Sequence, residues 1–354
     1  ETVSLSSATS TDKYTYFDGI GRKIQERVEA EGSNTYVVKD YVFGTSTKLI
    51  KESLPYFASS TSWSSPTTTS NLFNNYIYDS IGRIVNASNA VGTTTNVYDD
   101  WHTTTIDPLG KSKDFYKDAR GNLVTVVEHS SSVHGTTTYG YNLNQKLTSI
   151  TDAAGNVRNF TYDGIGRRLT AEDLHASGDG TYGTWTYAYD DASNVTQTVD
   201  PKSQTVNYTY DVLNRPSTED YTGSAGTEVT YTYDTGTDGK GRLYTASSTG
   251  ALITNAYNAL GQIKISTTTI GGRGMATQYD YDRQGNQVSI IYPDYSEAKY
   301  LYNSAGLLDS VQKKEFGESV FSNVVNNFDY APTGAQTVIG YANGATTTNT
   351  YDPN

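Results

Sequence analysis

The 354-residue sequence predicts an all-β chain, a series of tandem β-hairpins forming one long antiparallel sheet that spirals into a shell or solenoid. Three observations predict it. A short motif of an aromatic residue, then Asp or Asn, then a turn with Gly, recurs at roughly 20–28 residue intervals, the mark of a repeat architecture. The flanking segments alternate with period two and are rich in Thr, Val and Tyr, as half-buried strands are. Tyr also replaces aliphatic residues: the chain has 31 Tyr, yet its hydrophobic fraction is only 35%. A Tyr-built interior carries a hydroxyl on every ring and each needs a partner or water, so the interior is expected to be partly wet.

The repeats are read in chain order from their anchors. The full motif stands at Phe17-Asp18-Gly19-Ile20-Gly21-Arg22, at Tyr78-Asp79-Ser80-Ile81-Gly82-Arg83 and at Tyr162-Asp163-Gly164-Ile165-Gly166-Arg167. Looser copies are Tyr210-Asp211 with Asn214 and Arg215, Tyr257-Asn258, Tyr281-Asp282 with Gly285, and Tyr302-Asn303. Weaker ones begin at Tyr141, Tyr189, Tyr233 and Tyr330, and the chain ends inside another at Tyr351-Asp352. One long gap separates Phe17 from Tyr78.

Each part of the motif has a physical reason. Asp or Asn at a turn start bonds the backbone two residues on. Gly four residues after the aromatic can take positive φ, as a four-residue hairpin turn requires. Asn214 stands in for that Gly, since Asn tolerates the left-handed region, and Asn194 fits the same role. Tyr14 and Tyr16 precede Phe17 out of phase, so a bulge is expected there. The Arg after the turn (Arg22, Arg83, Arg167, Arg215, Arg242) is expected to meet the Asp of an adjacent turn and fix register.

A second turn class separates the hairpins: Asp107-Pro108-Leu109-Gly110, Asp152-Ala153-Ala154-Gly155 and Asp200-Pro201-Lys202. The result is about 25 short strands, which must twist and coil. Residues 1–354 read as a single repeat array and an internal piece of a larger protein. Residues 44–75 read as an irregular, longer repeat or loop, and 311–319 as a solvated strand pair, with a short helix as the alternative.

Charge and composition exclude several function classes. The net charge of −12 argues against nucleic acid and anionic membrane surfaces as partners. With no cysteine there are no disulfide staples or thiolate zinc sites. No apolar run approaches the roughly 20 residues a membrane helix needs.

The repeats resemble the Rhs/YD-repeat family, whose motif is Y-D-x-x-G-R, a short strand and D-x-x-G. The likeness covers nearly the whole chain. The opening Tyr14–Arg22 and the segment Glu52-Ser53-Leu54-Pro55-Tyr56-Phe57 look most similar to the B-component-like shell proteins of bacterial ABC (Tc) toxins. The resemblance implies a hollow spiral shell around a polypeptide cargo. Autocleaving family members end the shell in a motif containing D-P-x-G-L. Asp107-Pro108-Leu109-Gly110 resembles part of it but is followed by Lys111 in mid-chain, and reads as a linking turn.

No residue reads as catalytic, cofactor-binding or metal-binding. Of the four His, His129 and His134 fall in a Ser-rich loop without evident co-ligands, and His102 and His175 stand alone. Asp234 and Asp238 fail the spacing of a calcium loop. Gly271-Gly272-Arg273-Gly274 lies between strands and reads as a hairpin tip. The site residues are therefore the repeat-defining ones: Phe17, Asp18, Gly21, Arg22, Tyr78, Asp79, Gly82, Arg83, Tyr162, Asp163, Gly166, Arg167, Tyr210, Asp211, Arg215, Tyr281, Asp282 and Gly285. The expected function is a non-catalytic shell segment of a secreted or cell-surface protein that encapsulates and delivers a toxin. Its partners would be the cargo or other segments of the same shell. The alternative is an adhesion or carbohydrate-binding module, with Trp63, Trp101 and Trp185 as the first contacts and cell-surface glycans as partners.

Overall fold

The structure, a computed structural model, describes residues 11–32, 34–66, 73–129, 134–224 and 226–351. These hold no helix and 31 strands, joined in one antiparallel sheet. The strand number exceeds the expected one because very short pieces such as Tyr56–Ala58, His175–Ala176 and Thr346–Thr348 also pair. Residues 308–314 and 322–330 are strands, so the short-helix alternative falls.

The chain packs as two units. One comprises residues 1–96, 107–109 and 279–354, the other 97–106 and 110–278. In both, alternate residues divide the sheet into unlike faces. In the strand Val229–Tyr233, Val229, Tyr231 and Tyr233 are half-buried, while Thr230 and Thr232 are exposed. The apolar core is correspondingly thin. Among the described residues the buried apolar side chains are Ala30, Tyr36, Val38, Phe73, Phe160, Ala171, Val325 and Phe328. Eight such residues cannot fill the space between two packed layers; they support a sheet one layer thick.

Within the first unit, the early and late repeats touch. Thr11 Oγ1 donates to the Ser304 carbonyl at 3.2 Å. The turns at Ala305–Leu307 and Ala331–Gly334 face Val28, Val37 and Phe57 across a cavity of about 230 Å³.

The stretch at 44–75 is more ordered than a loop, although residues 67–72 lie outside the described residues. The strands Leu49–Ser53 and Tyr56–Ala58 both pair with Tyr36–Phe43, broken only at Leu54-Pro55. Residues 60–64 then close over a buried polar network. Arg27, 1% exposed, donates to Gln25 Oε1 at 2.9 Å, to the Ser60 carbonyl and to Ser64 Oγ at 2.9 Å. Gln25 donates to Asp40 Oδ1 at 2.6 Å, and the Tyr56 hydroxyl to Asp40 Oδ2 at 2.8 Å. Every charged atom here has a neighbour of the right polarity, the condition under which burying an Arg and an Asp is tolerable.

Candidate functional site: the repeat turn and its tyrosine ladder

The recurring site is the turn itself, and its Asp is the hub. In the first copy the Gly21 amide donates to the Asp18 carbonyl at 3.1 Å, and the Asp18 amide to the Arg22 carbonyl at 2.9 Å. Asp18 Oδ1 accepts the amides of Ile20 and Arg22, both at 3.0 Å, and Oδ2 accepts Arg22 Nε at 2.7 Å. Gly21 sits at φ 84°, Gly82 at 88°, Gly166 at 89° and Gly285 at 90°. This is a three-residue loop, a type I turn closed by a left-handed residue, and not the four-residue turn expected from sequence. Asp79, Asp163 and Asp211 repeat the carboxylate bonds, with Arg Nε at 2.6–2.7 Å. Amide and guanidinium donors around these carboxylates hold them below the usual range: the backbone amide of the following Arg leads at Asp18, Asp79 and Asp211, and the Arg167 side chain leads at Asp163.

Several expectations are corrected here. Asn214 is left-handed as expected (φ 59°), but beside Asn194 it is Ser193 that takes this conformation (φ 70°). Asn194 instead fills the Arg position, donating to Asp190 Oδ2 at 2.9 Å. The second turn class is the first again: Asp152 bonds Ala154, Asn156 and the Asn156 side chain in the same pattern. The Arg does not chiefly meet the adjacent turn, because the Asp four residues back already lies in line with its Nε. Its outer nitrogens make the inter-repeat contact: Arg167 Nη1 reaches the Asp190 carbonyl at 2.7 Å, and Arg215 reaches Asp234 at 3.1 and 2.6 Å. Arg242 bonds the carbonyls of Asp238 and Lys240.

The bulge expected at Phe17 is present, with the register slipping between Tyr16 and Phe17. It is a property of the motif rather than of that copy. Tyr162 pairs with Arg168 while Thr161 pairs with Thr170, leaving Leu169 as the extra residue, and Tyr210 pairs with Pro216 while Thr209 pairs with Thr218. A bulge interrupts the ladder of backbone bonds beside the extra residue, and the next anchor fills the gap. The Tyr162 hydroxyl donates to the Leu147 carbonyl at 2.8 Å, Tyr189 to Arg168 at 2.7 Å, Tyr210 to Val195 at 2.8 Å and Tyr233 to Pro216 at 2.8 Å. In the first unit Tyr78 does so to Leu49 at 2.7 Å and Tyr302 to Gln287 at 2.9 Å. The hydroxyl, rather than ring-on-ring packing, therefore links successive anchors.

The cation of one turn lies over the ring of the next anchor: Arg167 over Tyr189 at 4.8 Å, Arg215 over Tyr233 at 4.2 Å and Arg22 over Phe43 at 4.5 Å. Phe43 is an anchor that the sequence reading missed. It fills the gap before Tyr78 with Gly44 at the Asp position, Thr47 left-handed at φ 64° and Lys48 in place of Arg. Only the spacing from Phe17 could have disclosed it. At Asp118 the turn is intact, but Lys117 holds the aromatic position.

The remaining candidates resolve as follows. Gly271 and Gly272, at φ 56° and 78°, form a two-residue tip between Ile270 and Arg273. Asp234 is committed to Arg215 and to the Gly241 amide at 2.6 Å, with its pKa lowered to about 2, first by Arg215. His102 and His129 are not solitary loop residues. Both meet Asp114, at 3.1 and 2.7 Å, and Thr104 donates to it at 2.6 Å. The Thr104 hydroxyl leads in lowering Asp114 to about 2. His175 stacks on Tyr182 at 3.6 Å. The His134 side chain and Asp352 lie outside the described residues. Among the described residues no group of three or more His, Asp or Glu is arranged to hold a metal ion, and no helix is long and apolar enough to cross a membrane.

With this geometry in hand, comparison with known proteins becomes informative. The RHS Repeat family model matches residues 118–157 and 141–181. The chain carries RHS repeats. No curated protein matches it. The RHS fold extends well beyond the matched residues: the TcdB2-TccC3 structure superposes with a TM-score of 0.85 at 14% identity over 98% of this chain. The same protein without its hypervariable C-terminal region gives 0.84 over 98%. The Photorhabdus luminescens Tc holotoxin pore gives 0.82 over 98%, also at 14% identity. At that identity the likeness is one of fold. The RHS chain spans 20% of the length of each of these structures.

Proposed function

We propose that this RHS array is a wall segment of a secreted or cell-surface shell that encloses and delivers a polypeptide, as a non-catalytic structural element. The observation that carries this reading is the fold match over nearly the whole chain to TcdB2-TccC3. The chemistry of the repeats supports it. The carboxylates, guanidinium groups and phenols of the motif are engaged in turn closure and repeat-to-repeat bonds, which serves a sheet that must stand as a single layer. The repeat-defining residues are then wall-building residues, and the partners are the cargo and further segments of the same shell. The chain as a whole would be one array within a longer protein. Electron microscopy of the purified chain tests the reading. A curved, one-sheet wall bordering a solvent-filled concavity supports it; a solid rod leaves no room for cargo and sinks it.

A second reading, adhesion through surface glycans, draws on the exposure of Trp63, Trp101 and Trp185 at 47%, 58% and 38%. Retention on a glycan array that disappears in Trp→Ala variants would favour it.

A further inference from the structure

The linking turn at Asp107–Gly110, left over from the motif reading, helps to build a cavity in the first unit. The cavity measures about 440 Å³. Its floor is a row across three neighbouring strands: Tyr76 pairs with Ala87, and Ala87 with Thr94, so all three share a face. Asn74, two residues before Tyr76, lies on the same face and also lines the space. The wall is the turn at Asn89–Gly92 closed by Pro108. This closure needs Gly92, since a Cβ there would stand 2.7 Å from the Pro108 Cβ.

The lining is polar without being charged: Asn74, Tyr76, Ser88, Asn89 and Thr94 accompany Ala87, Val91, Gly92 and Pro108. Its hydrogen-bonding capacity is partly unspent. Asn89 Oδ1 accepts the amides of Val91 at 3.0 Å and Gly92 at 3.4 Å, which leaves its Nδ2 as a donor. Thr94 Oγ1 makes no hydrogen bond among the described residues. The floor is held rigid from beneath: the Tyr76 hydroxyl donates to Glu52 Oε1 at 2.8 Å, and Glu52 pairs with Lys39 at 3.1 Å. Burial, then the Glu52 bond, pushes the Tyr76 phenol up to about 12, so it stays neutral at physiological pH.

We propose that this cavity binds one unit of a neutral saccharide. Without a charged lining residue it has no means of holding a phosphate, a carboxylate or a metal ion, and the net charge of −12 opposes anions further. A few fixed amide and hydroxyl groups set among apolar carbons on a rigid floor are what a ring of hydroxyls and C–H bonds requires. The site stands apart from the wall reading and from the three tryptophans.

The test is saturation-transfer NMR on the whole chain with cellobiose, maltotriose, lactose and chitobiose, and with sialyllactose as a charged comparison. At least one neutral sugar is expected to bind at millimolar concentration. Thr94→Val, which removes a hydroxyl at constant shape, should weaken it about 5–10-fold, the effect of one hydrogen bond. Asn74→Ala should weaken it comparably, and Gly92→Ala should abolish it by wedging Pro108 away. No transfer from any neutral sugar, transfer from sialyllactose alone, or transfer unchanged in Thr94→Val overturns the proposal. A signal lost in the Trp→Ala variants but kept in Thr94→Val places sugar contact elsewhere and overturns this site while sparing the adhesion reading.

Discussion

The early strands Lys23–Glu29 and Tyr36–Phe43 can be set against the regular repeats from Tyr141 to Arg215. Both use the same turn and the same bulge. They differ in what lies on the sheet. The early strands carry a covering segment and bury Gln25, Arg27, Asp40 and Ser53 to 1% exposure or less. The regular repeats have no such cover, and most of their residues stay half-exposed. A one-layer sheet can thus be held in two ways: by one fully satisfied buried network, or by a modest bond repeated at every step. The first concentrates stability in one place, whereas the second spreads it evenly and permits extension by adding copies.

Substitutions can break this contrast, beginning where the effect should be largest. Arg27→Ala strands Gln25 and Asp40 beneath the covering segment without their cation. Removing one partner of a buried charged network typically costs about 3–5 kcal/mol, and urea unfolding should show a loss of that order in the first unit. Tyr162→Phe deletes only the hydroxyl that serves the Leu147 carbonyl, so its cost should be about 1 kcal/mol, read by the same unfolding experiment. An equal loss in the two variants would erase the distinction.

Asp114 sharpens the comparison through pH. Its carboxyl is held at about 2, below the ordinary 3.8, by Thr104 and the two imidazoles. A depressed carboxylate contributes stability that is present in full above its unfolded value and is lost as pH falls through the folded one. Asp114→Asn should therefore be the less stable form near neutrality, with the gap closing between about pH 4 and pH 2. A gap that does not change over that window would contradict the assignment. The smallest effect is expected from Arg167→Ala. Its pair with Asp163 is solvent-facing, where ion pairs add little, and the shift should fall below that of Tyr162→Phe in thermal unfolding.

Much of this was legible in the sequence, for a physical reason. The turn needs particular residue types: Asp to gather amides, and Gly or Asn for the left-handed position. Asp18, Gly21, Asp163 and Gly166 therefore declared themselves. The alternation around Tyr231 and Tyr233 declared the faces. What stayed hidden depends on partners distant in the chain. Nothing local in Tyr189 says that its hydroxyl will meet the Arg168 carbonyl, since that contact follows from a bulge whose existence only pairing reveals. Phe43 was missed because Gly44 and Thr47 supply the turn geometry without the usual side chains. The Asp114 cluster was missed because His102 and His129 are brought together by strand pairing across 27 residues of sequence. Buried Arg27 gave no signal either, since a lone Arg in a strand ordinarily reads as a solvated charge.

Hydrogen exchange followed by mass spectrometry, strand by strand, tests the central claim most directly, namely that a buried network holds the early strands while a repeated hydroxyl-to-carbonyl bond holds the rest. The account predicts the slowest exchange in Lys23–Glu29 and Tyr36–Phe43. It also predicts a faster, nearly uniform plateau from Tyr141 to Arg215, and Tyr162→Phe should accelerate exchange chiefly in the strand Leu147–Thr151 and its neighbours. Uniform protection along the whole chain, or regular repeats slower than the early strands, would contradict it.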